Sequence, residues 1–285
     1  MSDIRIGCQT CTWQMSGAKY VGRIAHVLDV VKRSGMEGLE PEVGILGSFY
    51  DDPAMMADEL AGRGLELGAV CLAASWQNPR ETPSEVSQAR RILDYLRHFP
   101  RAVLVLAQRS GQDRSNLALR QANAISCVNA VAGRAADQGI AAAFHGNSRS
   151  GSVFRTRDDY GRLLEGLDSS VVGLALDTGH VANGAMDVPE TFRTCRSMIR
   201  HVHFKDVSAG GEWTAMGTGA VDFPAIVSFL DHTAYRGWIM VEDESAKARS
   251  DPDSATIENG KYVSEKLFPL IRSNGGDGGP ANGSR

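Results

Sequence analysis

The ionisable side chains of this chain fall into short groups, and several of these groups close an apolar run. Leu174-Ala175-Leu176 leads into Asp177, with His180 three residues on; His201, His203 and Lys205 alternate with Val202 and Phe204; Met240-Val241 leads into Glu242, Asp243 and Glu244. An apolar run ending in one carboxylate describes a buried strand that delivers charge only at its tip, where a cation offsets the cost of desolvation. Alternation places His201, His203 and Lys205 on one face of a strand, with His203 the imidazole nearer the strand end. Asp177, His203 and Glu242 together form a mixed oxygen and nitrogen donor set. Such a set suits one divalent cation, and ligand type alone does not choose among manganese, cobalt, magnesium, iron and zinc. The rival reading is an ion-pair network, which gathers the same residue types.

Other polar groups stand at comparable places: Glu40 and Glu42 after the second apolar run, His145 and Asn147 after the fifth. Trp13 and Trp76 follow the first and third runs, where an indole either walls a substrate pocket or packs in the core. Asp206, Asp243 and Glu244 read as supporting or solvated carboxylates, and Lys247-Ala248-Arg249 as a solvated loop.

Groups so far apart in sequence need a fold that gathers strand ends. Short β-type runs at 5–9, 38–40, 66–72, 102–106, 140–145, 172–177, 201–205 and 239–242 alternate with segments of helical period, which predicts parallel strands joined by crossover helices. The spacing predicts a helix over 116–138, with Leu119, Ala122, Ile125, Val128, Ala132 and Ala135 on its apolar face and Gly139 as its stop. Asp222-Phe223-Pro224 reads as the start of another. Gln9-Thr10-Cys11-Thr12-Trp13 lacks a glycine-rich dinucleotide loop, so a closed (β/α)8 TIM barrel is expected over residues 1–272 rather than an open doubly wound sheet. The glycine-rich segment 273–285 is expected to be a disordered tail.

Composition narrows the function classes. A net charge of -4 gives no broad positive field, which argues against nucleic acid as a partner. No apolar stretch approaches membrane-spanning length, and no leader-like segment opens the chain, so a cytoplasmic location is expected. Cys8, Cys11, Cys71, Cys127 and Cys195 are odd in number and unpaired in spacing, and read as reduced, mostly buried thiols.

On Gly35-Met36-Glu37-Gly38-Leu39-Glu40, Asp177-Thr178-Gly179-His180, His201-Val202-His203-Phe204-Lys205-Asp206, residues 216–223 and Tyr235-Arg236-Gly237-Trp238-Ile239-Met240-Val241-Glu242, the sequence resembles the sugar phosphate isomerase/epimerase family of xylose-isomerase-like barrels. The likeness covers nearly the whole chain. It implies that Asp177, His203 and Glu242 bind one metal, manganese ranked first, and that His180 contacts substrate or metal. Many members carry a metal-binding and catalytic Glu where this chain has His145. That departure resembles inosose-dehydratase-like members and the catalytic subunits of C-glycoside deglycosidases; an imidazole there binds metal or acts as a general base. The barrel-type endonucleases in the family use extra histidines after strands three and four, where this chain reads Ala73-Ala74-Ser75-Trp76 and Ala107-Gln108-Arg109-Ser110, so a trinuclear site is not expected.

The leading expectation is an isomerase or epimerase that moves a proton beside the metal-polarised carbonyl of a sugar or keto-sugar. His145 or Glu242 would carry the proton, with His180, Lys205, Glu40 and Trp13 around the substrate. The alternatives are a lyase, either dehydratase or C-glycoside deglycosidase, acting by β-elimination, and a non-catalytic sugar-binding or partner subunit. A homo-oligomer, or a hetero-oligomer with a second subunit, is compatible with each.

Overall fold

The computed structural model describes residues 3–272, so the tail expected at 273–285 lies outside the described residues. Strands and helices alternate along the chain. The strands are β1 (Ile4–Gln9), β2 (Gly38–Glu40), β3 in two pieces (Glu66–Leu67 and Ala69–Ala74), β4 (Val103–Gln108), β5 (Ala142–His145), β6 (Val172–Asp177), β7 (Ile199–Phe204) and β8 (Gly237–Val241). Neighbouring strands pair in parallel around the ring, and β8 pairs with β1 through Ile4 opposite Gly237 to Cys8 opposite Val241. The fold is the TIM barrel that the alternation predicts, with helices on the outside of a parallel sheet.

The ring closes at Gly68, between the two pieces of β3. Its N–H donates to Leu39 O at 2.9 Å on one side, and its carbonyl accepts from Val103 N at 3.0 Å on the other. Only glycine fits there, because a Cβ would stand 2.8 Å from the Trp238 ring. Trp238 and Met240 fill the lower interior of the barrel against Gly7, Gly38 and Gly68. Above them the interior is lined by the small cluster Ala69, Cys71, Val103, Val105, Ala143 and Ala175, separate from the large core between strands and helices. Small side chains leave the upper axis to polar groups.

The helix expected over 116–138 runs Leu117–Ala136, and Gly139 takes a positive φ of 72° where the stop was expected. Its buried face differs from the expectation: Leu119 and Ala122 are exposed, while Gln121, Ala124, Cys127 and Val131 are buried. Gln121 turns inward because its amide donates to Val153 O and Asp159 Oδ1, at 2.8 and 2.9 Å, and this rotates the apolar stripe. Phe223–His232 begins as expected, with Asp222 accepting from Ala225 N at 3.0 Å. Lys247 and Arg249, expected in a loop, lie in the helix Ala246–Ser250 capped by Ser245. Among the described residues no helix is long and apolar enough to cross a membrane.

Candidate metal centre

Four strands deliver the central cluster, each from its C-terminal end. His145 ends β5, Asp177 ends β6, His203 lies one residue before the end of β7, and Glu242 follows β8. One ligand atom from each lies within 4.8 Å of all the others. Two of these atoms, His145 Nε2 and Asp177 Oδ2, are buried and have no hydrogen-bond partner, and a third, His203 Nδ1, is buried beside the Glu242 carboxylate as an ion pair. Buried polar atoms are ordinarily satisfied. Their convergence, with His145 to Asp177 at 3.6 Å, His203 to Asp177 at 4.0 Å and His203 to Glu242 at 3.2 Å, outlines a space bounded by two imidazole nitrogens and two carboxylates. The donor set fits a divalent cation.

Local sequence aims each donor. Asp177 divides its carboxylate: Oδ1 caps the helix Thr178–Asn183 by accepting from His180 N at 2.8 Å, and Oδ2 faces the cluster. Thr178 hooks β6 onto β7, accepting from Lys205 N at 3.0 Å and donating to Lys205 O at 2.9 Å. Gly179 is required by close approach, since a Cβ would meet Lys205 O at 2.9 Å and Trp213 at 2.8 Å. His203 is fixed from behind, where Nε2 lies 2.9 Å from Glu40 Oε2, an oxygen shared with His201 Nε2 at 2.7 Å. A carboxylate accepts and does not donate, so both imidazoles carry their proton on Nε2 there and His203 turns Nδ1 toward the cluster.

The charges balance through burial and pairing. Burial alone would raise the Glu40 carboxyl, but His203 and His201 outweigh it and hold Glu40 at about 2. Burial would lower His203, but Glu40 and then Glu242 hold it up at about 10 without a bound cation. His180 is pushed down to about 3 by burial and by Lys205. Lys205 is itself raised well above the usual lysine range, because Glu242, Asp177 and Glu244 overcome its burial. Burial would likewise raise Glu242, and Lys205 reverses it, holding that carboxyl well down. The Asp177 carboxyl is also lowered against its burial; of its neighbours His180 and Lys205, Lys205 carries the charge, His180 being neutral.

A cavity of about 410 Å³ opens over this cluster, with His145, His180, His203 and Glu242 on its floor. Three of the residues expected around substrate, Trp13, Glu40 and Lys205, do not line it. Trp13 is fully buried in the outer core, where its indole donates to Asp253 at 2.7 Å, and it does not wall the cavity. Glu40 sits beneath His203, fully buried and turned to two imidazoles, rather than reaching a hydroxyl from across the barrel. Lys205 lies behind the cavity wall with its three donors engaged by Glu242 at 2.7 Å, Glu244 at 2.6 Å and His180 Nε2 at 3.3 Å. Both ring nitrogens of His180 face donors: the Lys205 ammonium lies 3.3 Å from Nε2, and the Ser148 backbone N–H donates to Nδ1 at 3.2 Å, with Ser148 Oγ 2.9 Å from the same nitrogen.

Asp206 and Asp243, read as supporting or solvated, are buried anchors. Asp206 accepts backbone N–H groups from Val207, Gly217, Gly219 and Val221, and so pins the segment 216–223 that stood out in the sequence. Asn147, noted after the fifth apolar run, lines the cavity, and so do Gln9 and Arg109, which the sequence did not mark. Uncharged polar groups and a lone arginine at strand ends carry no spacing signal that would have marked them.

The profile of the xylose isomerase-like TIM barrel family matches residues 28–265. An inosose dehydratase of Halalkalibacterium halodurans is 24% identical over 303 residues, covering 94% of this chain and 97% of that protein. An inosose dehydratase of Clostridium beijerinckii is 29% identical over 157 residues, 49% of this chain and 52% of its own length. Among solved structures, the 3-keto-D-glucoside 4-epimerase YcjR of E. coli superposes with a TM-score of 0.73 at 18% identity, covering 92% of this chain and 99% of that one. The IOLI protein, solved with a bound zinc atom, superposes at 0.74 and 13% identity over 94% of this chain and 99% of its own. Both structures establish likeness of fold.

Proposed function

The chain belongs to the xylose isomerase-like TIM barrel family, and from that premise we propose a divalent-metal-dependent enzyme that moves a proton at the carbon beside the carbonyl of a keto-sugar or keto-cyclitol, with loss of water as the outcome. The observation that carries the proposal is the meeting of two unpartnered buried atoms, on His145 and Asp177, with the paired His203 Nδ1 and Glu242 at the floor of the cavity. In this reading Asp177, His203 and Glu242 hold the cation, with manganese ranked first among the cations such donors accept. A bound divalent cation supplies Lewis acidity, which polarises a carbonyl and stabilises the negative charge that builds as the neighbouring proton leaves.

The chain's own groups do the rest. His145 reaches the cavity floor with Nε2 facing the cluster, takes the proton from the carbon beside the carbonyl and returns it to the departing β-hydroxyl, so that water leaves as the C=C bond forms; His180, held neutral with both ring nitrogens engaged, shapes the floor. Glu242, clamped by Lys205 at 2.7 Å, remains a carboxylate across the working pH range. Loss of water is favoured because relatives aligned over nine-tenths of the chain are named inosose dehydratase, and because His145 replaces one member of the paired carboxylates used in epimerisation. Epimerisation is the second reading, favoured by Glu42: this carboxylate also lines the cavity, and burial raises its pKa, as a second proton carrier needs. The setting in either case is the cytoplasm, where five free thiols stay reduced.

The test is incubation of the manganese-loaded protein with 2-keto-myo-inositol and a panel of keto-sugars in D2O. A product lighter by one water supports the dehydratase reading. Deuterium at a single carbon with composition retained moves the assignment to epimerisation, and no turnover of any keto substrate overturns both. His145→Ala is expected to keep its metal and lose turnover; losing both would make His145 a ligand.

A further inference from the structure

The cavity over the metal cluster does not end at the cluster. Two more hollows adjoin it along the C-terminal face, of about 330 and 360 Å³, and Ala73 and Arg109 line all three. Arg109 stands at the junction, its Nε donating to Ala73 O at 3.1 Å and its backbone N to Ala74 O at 2.8 Å. The 330 Å³ branch is walled by Ser75, Gln77, Asn78 and Gln88 together with Arg109. These are hydroxyl, amide and guanidinium groups, which match alternating donors and acceptors on a polyhydroxylated ring. The 360 Å³ branch differs, with Val43, Leu72 and Tyr50 on its wall and the Arg91 guanidinium 4.3 Å from the centre of the Tyr50 ring.

The wall of the polar branch is held from behind. Its loop, residues 75–82, leaves β3 at Trp76, a buried residue with φ of 41°, a conformation that costs a non-glycine side chain energy and persists only where surroundings impose it. Trp76 N donates to Glu85 Oε1 at 2.8 Å. Along the helix Leu117–Ala136, Asn123 bonds to Gln77 O at 2.6 Å, Ser126 to Pro79 O at 3.0 Å, Cys127 to Asn78 O at 3.5 Å, and Arg134 pairs with Glu81 at 2.7 Å. The backbone of the loop is thus engaged on its helix side. Ser75, Gln77 and Asn78 are exposed, their side chains make no hydrogen bond among the described residues, and they line the hollow. A loop fixed this firmly presents binding groups at little ordering cost.

From this continuity we infer a second subsite: the substrate carries a second polyhydroxylated ring, which lies beyond Arg109 in the branch walled by Ser75, Gln77, Asn78 and Gln88 while the reacting ring sits over His145, Asp177, His203 and Glu242. The inference rests on the sugar reading proposed above and narrows it to glycosidically linked substrates.

Titration calorimetry on the manganese-loaded protein tests it without turnover. The probes are the single rings D-glucose, D-galactose and myo-inositol, the disaccharides maltose, cellobiose, lactose and trehalose, and 4-nitrophenyl β-D-glucoside. At least one disaccharide should bind about tenfold more tightly than its component sugars, the gain of one or two additional hydrogen bonds. Asn78→Ala combined with Gln77→Ala, both exposed and lining the polar branch but not the branch beside Tyr50, should remove that gain and leave the single rings within about twofold. Disaccharides that bind no better than single rings, with the single rings still binding, overturn the subsite alone. A gain confined to the aryl glycoside and untouched by the double variant overturns it too, assigning the extension to the branch beside Tyr50. Absence of binding by every sugar overturns the sugar reading and the subsite with it.

Discussion

Glu40 Oε2 lies 2.9 Å from His203 Nε2, with both groups buried under the metal cluster and 163 positions apart in sequence. This contact decides which nitrogen of His203 faces the cluster, because the nitrogen that donates to Glu40 cannot also bind a cation. Glu40→Gln preserves shape but replaces the shared anionic oxygen with an amide. Metal affinity should weaken about 10- to 100-fold with the fold retained. Competition against a fluorescent chelator measures it, and an unchanged affinity would mean that Glu40 does not set the tautomer.

Metal uptake should release a proton. Without a cation, His203 is held up at about 10 from its ordinary 6.5 by Glu40 and Glu242 against its burial, so at neutral pH it is charged and must lose a proton before Nδ1 can bind. Apparent affinity should therefore climb with pH up to about 10. Calorimetry in buffers of different ionisation enthalpy reads the proton directly. The sign for folding is opposite in the metal-free protein. The raised pKa of His203 contributes stability that is complete below 6.5 and is lost as pH rises through about 10. Glu40, lowered from 4.5 to about 2, contributes stability that is present above 4.5 and lost as pH falls through about 2.

Lys205→Met removes the one ammonium that reaches both Glu242 and Glu244. Glu244 then loses the ammonium beside it and Glu242 keeps only His203, 3.2 Å away, so the metal-free protein should lose about 3 to 5 kcal/mol. A cation supplies the missing positive charge, so manganese should stabilise the variant more than it stabilises the wild type. Urea unfolding with and without manganese checks both; equal stabilisation of the two proteins would show that Lys205 does not balance the metal ligands.

Trp13→Phe tests the placement of that indole away from the cavity. The loss of its 2.7 Å bond to Asp253 should lower stability by about 1 to 2 kcal/mol, while kcat and KM stay at wild-type values. Thermal unfolding and steady-state kinetics decide it. A raised KM would return Trp13 to the substrate.

The parts of this site that were legible in sequence are those with a local signature. Asp177 and Glu242 each end an apolar run, and His203 alternates with apolar neighbours, so strand, face and tip all follow from a few adjacent residues. His145 was legible as a strand-end group, but its role in the site needed the family resemblance, because a single histidine after Ala-Ala-Phe has no pattern of its own. Glu40 was misplaced for a different reason: whether a carboxylate at a strand tip faces the cavity or an imidazole below it depends on strand stagger around the closed ring, and stagger is not written in either strand. Trp13 found Asp253 across 240 positions, a contact made by packing of the outer helices. Arg109, Asn78 and Gln88 are ordinary surface residue types until the fold sets them around one hollow.

The cluster at the cavity floor draws its donors from residues 145–242, while much of the surrounding wall, from Gln9 and Glu42 to Arg109, comes from the first 110 residues. Under the function proposed above, the barrel divides along its chain into a half that supplies the metal donors and a half that supplies most of the wall around the substrate. Loops of the first half can be exchanged between homologous barrels, or diverge after gene duplication, without touching any residue proposed to hold the metal. Glu40 crosses that division: it comes from the first half and orients His203 in the second, so a chimaera joined between the halves should need a carboxylate at this position for full metal affinity.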